Sequence, residues 1–138
     1  MLTIDANVWI AAFDPSDVFH AESVALFSRI ALRNIALHAP EFVEMEVACA
    51  VSRRRRDSNA GMAAGKQLVS HPLLVLTPVN TMLLAEALRI GTGCFLRGAD
   101  ALYAATALVT QTPLVTWDEE LVKRAGAVTP IEWLAANP

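Results

Sequence analysis

Four acids stand where acid chemistry is expected: Asp5, Glu46, Asp100 and Asp118. Asp5 closes a short apolar run, and Asp118 stands just past the run Leu114–Thr116, with only Trp117 between. In an open parallel α/β sheet, ligands bind beyond the carboxyl ends of the strands, so both aspartates are expected in that crevice. For each of them, an ordinary helix cap is the alternative reading. Glu46 lies in a helical stretch. Residues advance by about 100° along a helix, so Phe42 and Ala50 fall within about 40° of Glu46, and Val43 and Cys49 within about 60°. Glu46 is therefore expected at the centre of an apolar stripe, with Glu44 roughly 160° away on the outer face. A carboxylate facing the core costs several kcal/mol unless a cation or donors meet it. A salt bridge to Arg53, two turns on, is the structural alternative. Asp100 sits in the first turn of GADALYAATAL, where the helix dipole favours an acid. That helix is apolar nearly all round, so the carboxylate should face protein rather than water.

Clustered carboxylates repel, and one protonates unless a divalent cation sits among them. All-oxygen ligation suits Mg²⁺ or Mn²⁺. Sites of this kind act on phosphate esters. Thr116, two residues before Asp118, can orient water there or serve as a strand residue. His20, His38 and His71 are scattered without ligand spacing and read as surface or helix-end residues. Neither a Gly-rich phosphate loop nor a G-x-S-x-G elbow is present.

The elements that would position these acids follow from periodicity and punctuation. Met1–Ala6 reads as a buried strand ending at Asp5, and His20–Asn34 as a helix. Ile35–Ala39 is a second strand, stopped by Pro40, and Glu41 to about Arg56 a helix. Asn59–Ser70 is a further helix and Leu73–Thr77 a strand. Asn80 caps a helix running to Ile90, which Gly91 and Gly93 end. Gly98–Thr110 is a helix, Leu114–Trp117 a strand, and Glu119–Ala125 a helix stopped by Gly126. Val128–Ile131 is expected as an edge strand, the place where Pro130 is tolerated. Short apolar strands alternating with helices imply a single α/β domain over residues 1–138. Its central parallel sheet of four to five short strands carries helices on both faces.

A chain of 138 residues that is 54% hydrophobic can bury a core, and its mean hydropathy of +0.41 suggests apolar surface left for a partner. The net charge of −3 argues against passive nucleic-acid binding but not against a site whose cations are bound metals. Cys49 and Cys94 form no C-x-x-C pair and are expected as buried free thiols in a reducing cytosol. The start MLTIDANVWI is not that of a signal peptide, and no span is expected to cross a membrane.

Four segments carry a resemblance. IDANVWIAAF, APEFVEMEVACAVSRR, GADALYAATAL and LVTWDEELVKRAG resemble, in order and spacing, the motifs of the PIN-domain family. More narrowly, they resemble those of VapC-type toxins of bacterial toxin–antitoxin pairs. The resemblance spans Met1 to about Ile131. It implies a PIN-like fold and Mg²⁺- or Mn²⁺-dependent cleavage of RNA. It also implies a homodimer and a cognate antitoxin protein. It assigns Asp5, Glu46, Asp100 and Asp118 as catalytic, metal-holding acids, supported by Asn7 and Thr116. Relatives often carry one more acid after the fourth; Glu119 and Glu120 are the candidates, and neither is assigned. In the run Arg53–Arg56, Arg53 shares the Glu46 face and is a candidate contact for RNA phosphates, as is Arg97. Arg55 is expected to point away. The rival readings are a catalytically silent PIN-fold module that binds RNA or a protein, and a phosphatase-like hydrolase. No D-x-D nucleophile motif supports the second.

Overall fold

The computed structural model of the protein describes all 138 residues. The chain runs β1 (Leu2–Ile4), α1 (Ala6–Phe13), α2 (His20–Leu32), β2 (Leu37–Pro40), α3 (Val43–Arg55), α4 (Ser58–Val69) and β3 (Leu74–Thr77). It continues through α5 (Thr81–Cys94), α6 (Gly98–Thr110), β4 (Leu114–Val115), α7 (Glu119–Ala125) and α8 (Pro130–Ala136). The strands form one parallel sheet in the order β3-β2-β1-β4. The expected α/β architecture is present, with four strands. All three residues of β1 are buried although successive side chains point to opposite faces, so both faces of the sheet are covered. Helix α6 lies against β1, β2 and β4, and α5 packs on α6. Helix α1 packs on α2 and α3.

The topology decides where a site can form. From β1 the chain builds outward on one side through β2 and β3, then returns to β1's other side as β4. The order therefore reverses between β1 and β4, and the crevice beyond their carboxyl ends is the switch point. No helix is long and apolar enough to cross a membrane.

Several elements differ from the sequence expectation. Helix α1 takes up Ala6, expected as the end of the first strand, and the residues after it, to which the sequence reading assigns no element. Helix α5 runs through Gly91 and Gly93 to Cys94. A Cβ at Gly91 would lie 2.9 Å from the Cβ of Ala101, so close packing of α5 on α6 explains a glycine inside a helix. Strand β4 is shorter than expected, and Val128 contributes only an isolated parallel bridge to Val115. The expected edge strand from Val128 is instead α8. Thr129 and Glu132 form a reciprocal capping box there, and Pro130 takes the first helical position, where its missing N–H costs nothing. Cys49 is exposed and Cys94 half-buried, so neither is the buried thiol expected. His38 lies on β2 with both ring nitrogens buried and unpartnered, not at a surface or a helix end. Burial lowers its pKa.

Candidate active site

Local sequence places each acid at the start of a helix. Asp5 is the N-cap of α1, and Asp118 is the N-cap of α7. Asp100 and Glu46 lie in the first turns of α6 and α3. The positive ends of four helix dipoles thus favour acids at these positions.

Asp5 does not spend its carboxylate on capping. Its Oδ2 accepts from the Thr116 hydroxyl at 2.6 Å and from the Asn7 amide at 3.0 Å. The Asn7 amide also donates to Thr116 Oγ1 at 3.0 Å, and Asn7 Oδ1 accepts from the Trp117 backbone N–H at 3.1 Å. This network joins the ends of β1 and β4 across the switch point. Asp5 is nearly fully buried. Burial pushes its pKa from the ordinary 3.8 up to about 7, and the charges of Asp100 and Glu46 push the same way, against the Thr116 hydrogen bond. Asp5, Asp100 and Glu46 therefore share one electrostatic environment.

Glu46 is half-buried and accepts from the Tyr103 hydroxyl at 2.7 Å. Burial raises its pKa, the Tyr103 bond lowers it, and Asp100 raises it again. The buried stripe of α3 is Val43, Val47 and Val51, so Glu46 sits on its flank and not at its centre. Glu44 is exposed, as the helix phase requires, and lies over α4 near Gly65. No Glu46–Arg53 salt bridge forms. Arg53 is exposed and lines a groove with Ala48, Cys49, Ser52 and Met62. Its neighbours in the arginine run do structural work: Arg54 pairs with Asp14 and Asp17, both at 2.8 Å, and Arg55 donates to the Phe13 carbonyl.

Asp118 both caps α7, accepting from the Glu120 backbone N–H at 2.8 Å, and pairs with Arg97 at 2.7 Å. Arg97 also pairs with Asp100 at 2.8 Å. One exposed guanidinium thus bridges two of the four acids. As they stand, no three acids close around a common point that could hold an ion. Glu119 and Glu120 are exposed and turn to Lys123 and Arg124 along α7.

Tyr103 is the site residue that sequence reasoning missed. It follows Asp100 by three positions on α6, so the two share a helix face, and that spacing was the available signal.

The chain matches the family model described as PIN domain over residues 2–127. No curated protein matches in sequence. Among solved structures, a protein from Pyrobaculum aerophilum is similar with a TM-score of 0.72 and 22% identity, covering 98% of this chain and 87% of that one. FitAcB from Neisseria gonorrhoeae is similar with a TM-score of 0.70 and 20% identity, covering 95% and 99%. VapBC2 from Rickettsia felis, bound to a DNA fragment from its promoter, gives 0.70 and 14%, covering 93% and 96%. At these identities the solved structures speak for the fold, and the domain match speaks for descent: this chain belongs to the PIN domain family.

Proposed function

We propose that this chain is a metal-dependent ribonuclease that hydrolyses RNA phosphodiester bonds, and the toxin of a type II toxin–antitoxin pair. The observation that carries the reading is the buried Asp5 carboxyl at the switch point, where burial and the charges of Asp100 and Glu46 all raise its pKa. Such a group is held at a cost unless a cation joins it. The donor set is all oxygen, which fits Mg²⁺ or Mn²⁺. Asp5, Glu46, Asp100 and Asp118 would hold the ion, which supplies charge stabilisation at the phosphate and makes water more acidic. Asn7 and Thr116 orient Asp5, and Tyr103 orients Glu46. Such supporting hydrogen bonds fix how a ligand presents itself to a metal. Arg97 is the cation nearest the acids and the natural partner for an RNA phosphate once it leaves them.

The Arg97 bridge also favours a second reading, a silent PIN-fold module whose acids are satisfied internally. Thermal melts separate the two. If the site takes up metal, millimolar Mn²⁺ raises the melting temperature, because the ion binds only the folded acids. Arg97→Ala removes the competing cation, so its shift is larger than that of the wild type. A silent module shows no shift in either protein.

The partners follow from the exposed apolar surface and from relatives. Met82, Leu88 and Phe95 on and just after α5 are 79%, 69% and 79% exposed, and Leu108 and Val109 of α6 lie half in solvent. Large apolar side chains exposed on two helices that pack on each other support a face covered by a partner. One solved relative is a toxin–antitoxin complex from Klebsiella pneumoniae, similar with a TM-score of 0.66 and 17% identity, covering 94% of this chain and 98% of that one. A homodimer that also binds an antitoxin protein, acting in the cytoplasm, accounts for this surface. Light scattering of the isolated protein at micromolar concentration is expected to give a dimer mass. A monomer mass would remove the homodimer from the account.

A further inference from the structure

Trp117, which immediately precedes Asp118, pairs its ring with that of Phe19 in a stack that the acid chemistry does not use. The rings of Phe19 and Trp117 stack with centroids 4.1 Å apart and planes within 8° of parallel. Trp117 lies between Thr116 and Asp118 and is fixed at both ends. Its backbone N–H donates to Asn7, which holds Asp5, and its indole N–H donates to the fully buried Ser23 hydroxyl at 2.9 Å. Phe19 is fixed from the other side. Its backbone N–H donates to Asp17 at 2.9 Å, and Arg54 of α3 ties Asp14 and Asp17 together. Thus α3, which carries Glu46, also anchors the loop that presents Phe19. A pair placed only to fill the core would bury both rings, yet Phe19 remains 38% exposed.

Resting on the ribonuclease reading, we propose that the exposed side of Phe19 is a nucleobase-stacking subsite. It receives an unpaired base of a single-stranded RNA whose phosphate lies at the carboxylates, and extends the Trp117–Phe19 stack by one ring. Single-stranded RNA is recognised in this way because unstacked bases present an aromatic face of any sequence. Stacking of one base on an aromatic side chain contributes about 1–3 kcal/mol. The middle of that range is roughly a tenfold to hundredfold change in affinity.

The test is cleavage of a short randomised single-stranded RNA pool in Mn²⁺ by the wild type, Phe19→Leu and Phe19→Trp. Leucine keeps apolar contact with Trp117 but has no aromatic face, whereas tryptophan keeps the face. The expected result is a KM about tenfold or more higher for Phe19→Leu with kcat little changed, and wild-type constants for Phe19→Trp. A second arm does not depend on a variant folding. An RNA pool carrying abasic sites should show the same KM penalty with the wild type. Phe19→Leu, if folded, should pay no further penalty on it. Wild-type behaviour of Phe19→Leu, equal loss in both variants, or indifference of the wild type to abasic sites overturns the subsite and leaves the ribonuclease standing. A wild type that neither cuts nor binds the intact pool overturns the ribonuclease, and the subsite falls with it.

Discussion

Glu46→Gln is expected to lower RNA cleavage by about a hundredfold or more, the scale of removing one well-placed charge from an active site. Glu44→Gln, two residues earlier, should leave it nearly unchanged. The two side chains differ only in helix phase. Glu46 meets the Tyr103 hydroxyl and feels Asp100, while Glu44 is exposed over α4. A glutamine at position 46 can still accept from Tyr103, so the fold should survive. Metal-free stability should hold or rise, because a carboxylate whose pKa is raised by burial is a folded-state cost at neutral pH. The exposed Glu44→Gln should change stability by no more than about 0.5 kcal/mol. Steady-state cleavage and denaturant melts in EDTA check both halves. Equal activity losses in the two variants, or an active but unfolding Glu46→Gln, would move Glu46 out of the site.

Asp5→Asn should abolish cleavage to a similar or greater extent, and it carries a pH signature. The Asp5 pKa is about 7 when folded and 3.8 as an ordinary carboxyl. Between those values the folded protein keeps a proton that the unfolded chain releases, so the contribution of Asp5 to stability falls as pH rises from about 4 to about 7. The metal-free wild type should therefore lose stability relative to Asp5→Asn across this window, and the two should converge near pH 4. Millimolar Mn²⁺ at pH 8 should reverse the order, because only the wild type gains a ligand for the ion. Melts of both proteins against pH, with and without Mn²⁺, read the crossing. Parallel curves across the whole range would show that Asp5 is not held at a charge-dependent cost.

Much of the scaffold was legible because strong local signals agreed with the tertiary structure. Helix α6 begins and ends where the sequence placed it, as does α7, which stops at Gly126 with φ of +67°. Helix α1 was lost because ANVWIAAF is apolar on most sides and only Asp5 separates it from β1, so no change of period marks the junction. Helix α8 was lost because Pro130 was read as an edge-strand residue. The Thr129-Pro130-x-Glu132 pattern is equally a helix start, and the capping hydrogen bonds decide it. In α5, contact with Ala101 outweighs the low helix propensity of Gly91.

At the candidate site, strand ends and helix phase mark the four acids as candidates, but their surroundings depend on approaches that no local pattern encodes. Arg97 reaches Asp118 only because the start of α6 lies beside the end of β4. Phe19 meets Trp117 because the Trp117 indole docks on Ser23 of α2, one turn on from Phe19. Helix phase separated Glu46 from Glu44, yet the apolar stripe is centred on Val47, whose neighbours Val43 and Val51 complete each turn.

The central claim, that these carboxylates cut RNA by holding a divalent cation, is tested most directly by one assay. The purified wild-type protein is incubated with single-stranded RNA in Mn²⁺, in EDTA, and in EDTA followed by excess Mn²⁺. The account predicts cleavage in the first, none in the second, and recovery in the third. Cleavage that persists in EDTA, or intact RNA under all three conditions, would contradict it.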